Sequence, residues 1–481
     1  MNLIKKNILF FILTLIIMIS FIFIGLEINI QAEEISLPDA INWGLEQNSS
    51  LRVIKDEIKT IERNLALIDT EYAPKMSLQA NPIIAGNSTK GGDSTSTTTT
   101  TTDTTPKISL ETSKIFANGL MINSKISVQE EGIFDLENIS ENINRTISAS
   151  KTIYPLVPIL PAQEKYKAAN ELLKINQNLQ WQKEIKKIDF LESYLNLLRL
   201  QENLFLVETN YQYAQEDLDR MLKKIKIGEA GEKQGLEAKI ALKTAEINLL
   251  QAQNDFNQQK KRWYLDLNLP EGTEVTLRED LPFLEEIKKW IESLELNLED
   301  QGKLMALVVA NHYQTKANLL DQENAKKELE WDLTKNKPQI NLYGAYDIKD
   351  NSWGVGIDLS YNIFDGGTKK LENEAYQVNL INLEDAYLQT VAELRLELVN
   401  LINLSTVGNL NLEEKVLSYQ QAELEKESYQ IQLKQGLISA SEFKYQELNW
   451  QETEINLKSA RDEVFIAKLR LAQFLGFRKS S

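Results

Sequence analysis

The 481-residue chain has no cysteine. Disulfides, thiolate metal sites, cysteine nucleophiles and lipid attachment through an N-terminal cysteine are therefore all excluded. Histidine is nearly absent too. The single imidazole, His312, sits in a helical, charged stretch and cannot by itself assemble a multi-histidine metal site, so it is expected to be either solvated or satisfied within the fold. Glycine and proline number only 20 and 10, which leaves room for long uninterrupted elements. Positive charge is in deficit, with 53 Lys and Arg against 70 Asp and Glu and a net charge of −17. Such a balance argues against nucleic-acid binding, which needs a positive field to meet phosphates.

Chemistry-bearing motifs are also missing. The acidic residues lie mostly on helical faces shared with Lys and Arg, as solvated surfaces do. Gly354-Val355-Gly356 lacks the third glycine and the following helix of a nucleotide fingerprint. There is no triad, metal cluster or phosphate loop in the pattern, so neither enzymatic activity nor a cofactor is expected. One apolar run of membrane-spanning length exists, at residues 8–24, behind Lys5 and Lys6 and ahead of Ile30-Gln31-Ala32. It reads as a signal peptide over 1–32, cleaved after Ala32, with an uncleaved anchor helix as the alternative, since the run is long for a leader. Its removal takes away Lys5, Lys6 and Glu27 and moves the net charge from −17 to −18. With no second run of that length downstream, a mature chain that meets a membrane must do so with strands or from the surface.

What the sequence does have is two kinds of periodicity. From Val355, the segment WGVGIDLSYNIFDGG alternates Val355, Ile357, Leu359, Tyr361 and Ile363 with Gly356, Asp358, Ser360 and Asn362, the pattern of a strand with one apolar and one wet face. Weaker alternation occurs at Met76, Leu78, Ala80; at Ile108, Leu110; at Leu120, Ile122, Ile126, Val128; at Ile147, Ala149, Ile153; and at Ile340, Leu342. Segments of about nine residues suit tilted strands crossing a bilayer. Asn118-Gly119 is placed as a hairpin turn between two of them, and the threonine run at 97–102 as an exposed polar loop. Elsewhere the spacing is helical. Residues 161–227 carry a stripe such as Leu191, Leu195, Leu198 and Phe205, and after a turn at 228–235 comes Leu242, Ala245, Leu249, Ala252, Phe256, with coiled-coil spacing. A continuous helix of about 65 residues would span roughly 100 Å.

An internal repeat carries the most information. KIGEAGEKQGLEAKIALKTAEINLLQAQNDF and KQGLISASEFKYQELNWQETEINLKSARDEV align without a gap, Gly228 with Gly436 and EINL at Glu246 with EINL at Glu454. Upstream, Ile147 and Ile153 match Ile357 and Ile363, and EYAPKMSLQA matches KNKPQINLYG with Pro74 on Pro338. Each half thus reads as helix, strands, long helix, glycine turn and returning helix. Four to six strands per chain cannot close a membrane barrel, whose smallest closed forms have about eight strands, so several copies must pool theirs.

These motifs, in this order and duplicated, resemble the TolC family of outer-membrane factors over nearly all of the mature chain. ISLPDAINWGLEQNSSLRVIKDEI resembles the family's first helix, IDTEYAPKMSLQA its helix-to-strand junction and WGVGIDLSYNIFDGG its strand-to-helix junction. The resemblance implies a mainly helical fold with transmembrane strands: a long periplasmic α-barrel below an outer-membrane β-barrel completed by a homotrimer. It divides the chain into a first helical segment (33–74), barrel strands with the threonine-rich loop (75–154), a long hairpin and further helices (155–336), a second strand pair (337–366) and a second long hairpin (367–481). The implied function is an exit duct for an efflux pump or type I secretion system, docked to a periplasmic adaptor (membrane fusion protein) and an inner-membrane RND or ABC pump. The implied docking tips are Ile227-Gly228-Glu229 and Gln435-Gly436-Leu437, with plain helix-capping glycines as the alternative. The implied pore aperture falls at Glu442, Tyr445 and, in the first half, Gln234, with a solvated helix-surface glutamate as the alternative for Glu442. Leu433 and Ile438 stand where some members carry a Tyr and an Arg linking neighbouring hairpins, so any latch must differ. Two rivals remain: an adaptor of the same machines, which would show one hairpin with strand-rich flanks, and a structural coiled-coil envelope protein, which would not need the alternating strands.

Overall fold

The computed structural model describes residues 34–81, 107–128, 143–270, 273–294 and 297–479. The expected leader and the threonine run lie outside these residues. The chain starts with a short strand β1 (Glu34–Ile35), helices α1 (Leu37–Gln47) and α2 (Ser49–Thr70), and strands β2 (Lys75–Asn81), β3 (Lys107–Ile115), β4 (Met121–Val128) and β5 (Ile143–Tyr154). Helix α3 (Leu160–Lys226) returns as α4 (Glu232–Leu267), followed by β6 (Glu274–Val275), α5 (Pro282–Glu292), α6 (Gln301–Asn311) and α7 (Tyr313–Lys335). Strands β7 (Gln339–Asp347) and β8 (Ser352–Ser360) lead into α8 (Thr368–Lys434) and α9 (Ala440–Phe474). Among the described residues no helix is long and apolar enough to cross a membrane.

The repeat read from the sequence is built into this order and reaches further than the sequence match. Helices α3 and α8 are each 67 residues long, about 100 Å at 1.5 Å per residue. Helices α1 and α6 are each 11 residues long, and each is followed by a break and a second helix. The 33–74 stretch expected as one helical segment is therefore two helices, interrupted at Asn48. Its Oδ1 accepts from the N–H groups of Ser50 and Leu51 at 3.1 and 3.3 Å, which satisfies donors orphaned at a helix start. At the matching break His312 does the same work, its Nδ1 accepting from the Gln314 N–H at 3.3 Å. His312 is buried and packed against Trp181 and Phe474, with ring centroids 4.3 and 5.4 Å away. Of the two expected environments, satisfied is the one realised. Burial depresses the imidazole pKa to about 4, so the ring stays neutral and able to accept.

The six longer strands form one antiparallel sheet in the order β2-β3-β4-β5-β7-β8. In the repeat β2 corresponds to β7 and β5 to β8, while β3 and β4 have no counterpart. They are a hairpin inserted into the first half, with its turn at Gly119 (φ 81°) lying against Ile159 just before α3. The Asn118-Gly119 hairpin thus joins the sheet and does not fold beside it. Strand β8 ends at Ser360, earlier than the alternation to Ile363 suggests. The chain peels away because Asp365, followed by two glycines with positive φ, accepts from the N–H groups of Gly367 and Lys369 at 3.0 and 2.9 Å and starts α8.

The core is a belt around the middle of the long helices. Phe190, Leu191, Tyr194, Leu197 and Leu198 of α3 pack on Leu37, Ile41 and Leu51 of α1 and α2, Trp263 and Leu267 of α4, and Phe465 and Leu469 of α9. A second cluster joins Trp181, Val308, Leu394, Leu398, Leu471 and Phe474. Within the belt the buried Arg199 bonds Asp462, Glu202 and Glu279 at 2.7, 2.8 and 2.8 Å. Burial works against its charge, but the hydrogen bonds and fields of Asp462, Glu279 and Glu202 outweigh it and hold the pKa above the ordinary value.

Replacing Arg199 by Leu leaves the half-buried Asp462 without its partner, a change worth at most about 3–5 kcal/mol, the cost of breaking a fully buried ion pair on one side. Thermal denaturation of the purified protein is expected to show that loss, with partial recovery in the Arg199→Leu, Asp462→Leu double variant. For His312 the folded pKa lies below the unfolded one. Between about pH 6.5 and about 4 the unfolded chain binds a proton the folded chain refuses, so stability falls as the pH drops through that window. His312→Asn, which copies the Asn48 cap, should remove that part of the pH dependence.

Candidate functional site

Two features carry functional geometry: the faces of the sheet and the ends of the helical hairpins. Residues opposite each other in an antiparallel ladder share a face, so the register sorts the side chains. Met76, Leu78, Leu110, Ile126, Ile147, Leu342, Val355, Ile357 and Leu359 fall on one face. Ser77, Gln79, Ser109, Glu111, Asn123, Lys125, Thr146, Ser148, Asn341 and Asp358 fall on the other. The apolar face is open to solvent in the single chain, with Leu78 at 71% and Ile357 at 68% exposure. A contiguous exposed apolar face of this kind marks a protein or membrane contact.

The polar face is open at Ser77, Gln79 and Asp358 and sheltered across β3, β4 and β5. Ser109 and Ser127 are buried, Glu111 pairs with Lys125 directly across the ladder, and a cavity of about 430 Å³ lies over Ser77, Glu111, Lys125, Thr146 and Ser148. On this face Tyr343 lies across Gly356, where a Cβ would meet its ring at 2.5 Å, which explains a glycine in mid-strand. Cations on the apolar side sit toward strand ends, at Lys114, Arg145 and Lys151. The Tyr346–Trp353 pair marks the loop end of β7 and β8. Aromatic residues at the margin of an apolar band and long cations reaching past it suit an interface between lipid and water.

At the far ends of the helices the two turns are alike. Gly228 (φ 81°) and Gly436 (φ 71°) close α3 and α8. In the first turn the Gly228 and Glu229 N–H groups donate to Ile225 and Lys224 carbonyls, and in the second those of Gly436 and Leu437 donate to Leu433 and Gln432. Both are glycine caps in which a left-handed residue satisfies the last carbonyls. Nothing lies within 4 Å of where a Cβ would stand on either glycine. Ile227 and Leu437 flank the caps at 70% exposure each.

The residues expected at an aperture have a local task. Glu442 is the third residue of α9, and its carboxylate accepts from the Ser439 N–H at 2.7 Å while Ser439 Oγ accepts from the Glu442 N–H at 3.2 Å. Bonding to Ser439 lowers the Glu442 pKa, so it remains charged on an open surface. Gln234 holds the matching place in α4, its Oε1 accepting from the Gly231 N–H at 2.9 Å. Tyr445, one turn further along α9, has its phenol pKa raised by burial and by Asp217. The pattern Ser439-x-x-Glu442 is a sequence signature of this reciprocal cap. A link between the two hairpins has no such signature. Ser441 donates to Asp217 at 2.8 Å, Arg220 bonds both Asp217 (2.9 Å) and Ser441 (3.1 Å), and Lys444 pairs with Glu216 at 3.4 Å and lies over the Tyr213 ring at 4.0 Å.

No family model and no curated protein matches the sequence. Solved structures do. The chain is 13% identical to CusC, a protein described as forming a transmembrane channel on folding, with 93% of each chain covered and a TM-score of 0.59. It is 13% identical to the CmeC outer membrane channel of Campylobacter jejuni, covering 92% of this chain and 85% of that one with a TM-score of 0.58. To the outer membrane protein VceC of Vibrio cholerae the identity is again 13%, with 92% and 96% covered and a TM-score of 0.56. Over nearly its whole length, therefore, this chain has the fold of outer-membrane channel proteins, the architecture that its resemblance to the TolC family implies.

Proposed function

We propose that the chain is one of three identical subunits of an outer-membrane exit duct, a passive conduit and not an enzyme, with its sheet in the lipid and its helices reaching into the periplasm. The observation that carries this reading is the unfinished sheet. Among the described residues strands β2 and β8 each pair on one side only, and the face they share is apolar and exposed. In hydrocarbon an unpaired strand edge costs several kcal/mol per orphaned group, so the edges must meet those of other copies. Three copies, the number implied by the resemblance, pool eighteen strands, a size at which barrels leave an aqueous lumen. The polar face with Ser77, Thr146 and Ser148 would line it.

The hairpin turns then lie at the periplasmic end. Ile227 and Leu437, apolar and exposed beside the two capping glycines, offer a surface for a periplasmic adaptor carrying solutes or polypeptides from an inner-membrane RND or ABC pump. The near absence of bulk around Gly228 and Gly436 lets a partner helix approach the backbone. Glu442, charged and open, would contribute three carboxylates to a cation-attracting ring at the narrow end, beside Tyr445 and with Gln234 in the alternate positions.

In planar bilayers the purified protein is expected to form conducting, cation-selective pores. Glu442→Gln should lower the cation preference while leaving the helix start intact, because a glutamine already serves that cap at Gln234. Absence of conductance would reject the duct. Unchanged selectivity in a conducting variant would remove Glu442 from the aperture.

A further inference from the structure

The strands of the large sheet carry their acids on one face only. Glu111, Asp347 and Asp358 all stand on the polar face, together with Lys75, Lys107 and Lys125, so that face is formally neutral. The apolar face carries Lys114, Arg145 and Lys151 and no acid, in a chain whose net charge is −17. The cost of entering hydrocarbon does not explain this bias, because on the outer face of a barrel it weighs more on Lys and Arg than on Asp and Glu. Long stems that lift a cation to the interface explain why these side chains are tolerated. They do not explain why no acid balances them.

Two of the three cations are neighbours at the helical end of the sheet. Lys114 of β3 opposes Ile122, Ile122 opposes Ala149, and Lys151 lies two residues beyond Ala149 on β5. From the spacing between strands and the rise per residue, the two Cα atoms are roughly 12 Å apart. The Lys114 ammonium turns toward that gap, since it lies 4.9 Å from the centroid of Phe116, two residues nearer the helices and level with Lys151. Both lysines are half-buried along the sheet, and neither has an ion-pair partner among the described residues. Beside them the apolar face is hollowed. The rung next to Lys151 on the mid-sheet side holds Ala149 and Gly344, between Ile122 and Val355.

Resting on the reading that the apolar face lies in lipid, we propose that Lys114 and Lys151 hold the phosphate of an anionic phospholipid in the periplasmic leaflet, with the start of an acyl chain lying in the hollow over Ala149 and Gly344. A phosphodiester brings the charge this face lacks, and the two amines reach it from either side. A zwitterionic lipid brings an ammonium along with its phosphate, which the lysines repel. Basic clusters at a membrane margin favour anionic head groups for this reason. Arg145, six residues from Lys151 and at the opposite end of the same strand, has no second cation beside it and provides the internal comparison.

The test uses the full-length protein purified in an uncharged detergent, with phosphatidylglycerol, phosphatidylcholine of the same acyl chains, or inorganic phosphate added. Native mass spectrometry reads bound lipid and oligomer together. Phosphatidylglycerol is expected to stay bound, one molecule per subunit, more tightly than phosphatidylcholine. Lys114→Gln with Lys151→Gln should weaken it roughly thirtyfold, while Arg145→Gln leaves it unchanged. Ala149→Leu, which fills the hollow and keeps both charges, should weaken it too. Equal retention of the two lipids, unaltered retention in the double variant, or an equal loss with Arg145→Gln overturns the headgroup site and leaves the duct standing. Inorganic phosphate that displaces phosphatidylglycerol at equal concentration marks a free-anion site and overturns the lipid. A protein that retains neither lipid nor a detergent belt overturns the membrane reading itself.

Discussion

A strand edge has nowhere to hide in hydrocarbon. With the sheet set in lipid, as proposed, each amide and carbonyl along β2 and β8 that faces away from it must find a partner from a protein, because the lipid offers none. Once the exposed apolar face of Leu78, Ile357 and their neighbours is assigned to lipid, much of the rest follows. The polar face turns inward, the sheet must be completed by further copies, and the helices hanging from it must also fit side by side. A soluble sheet of the same size would manage its edges with charges, prolines or bulges. Here one edge strand carries Val355, Ile357 and Leu359 on a face that none of the described residues covers.

The repeat supplies an economical way of meeting that demand. Within one chain the two halves already touch: α3 packs on α9 through an apolar cluster of Leu195, Leu198, Phe465 and Leu469, with ion pairs such as Glu202 with Lys458 and Glu216 with Lys444 beside it. The same duplication explains the lone histidine. His312 stands where Asn48 stands in the first half, and both cap a helix with a side-chain acceptor. Desolvation keeps the imidazole neutral and so keeps its Nδ1 lone pair free.

How much of this was legible depends on the range of the interactions. The strands were readable because water on one side and an apolar phase on the other impose a period of two on every residue from Val355 to Leu359. The long helices were readable from the scarcity of glycine and proline and from stripes such as Leu191, Leu195, Leu198. The inserted hairpin was visible as strands and a turn, but its place between β2 and β5 is a matter of pairing that no local pattern encodes. The break at Asn48 was missed, although an asparagine followed by two serines is a fair helix start. The reciprocal cap at Ser439 and Glu442 lay in plain view, masked by the aperture that the family resemblance implies for the same residue. Nothing local could reveal Asp217 bonding Ser441, 224 positions away, or Arg199 reaching Asp462. Such contacts exist only once the helices have chosen their neighbours.

The inserted β3–β4 hairpin also breaks the evenness of the design. The helical part of each chain is two like units, so three chains would place six near-equivalent hairpins around an axis. In the sheet the first half contributes four strands and the second only two, so the arcs alternate wide and narrow. A ring of strands widened at three places must sit upon a tube divided into six equal sectors. In the proposed trimer that mismatch would fall on the junctions at Pro74, Pro155, Pro338 and Gly366-Gly367, and would give the mouth a larger girth than the helical stem dictates.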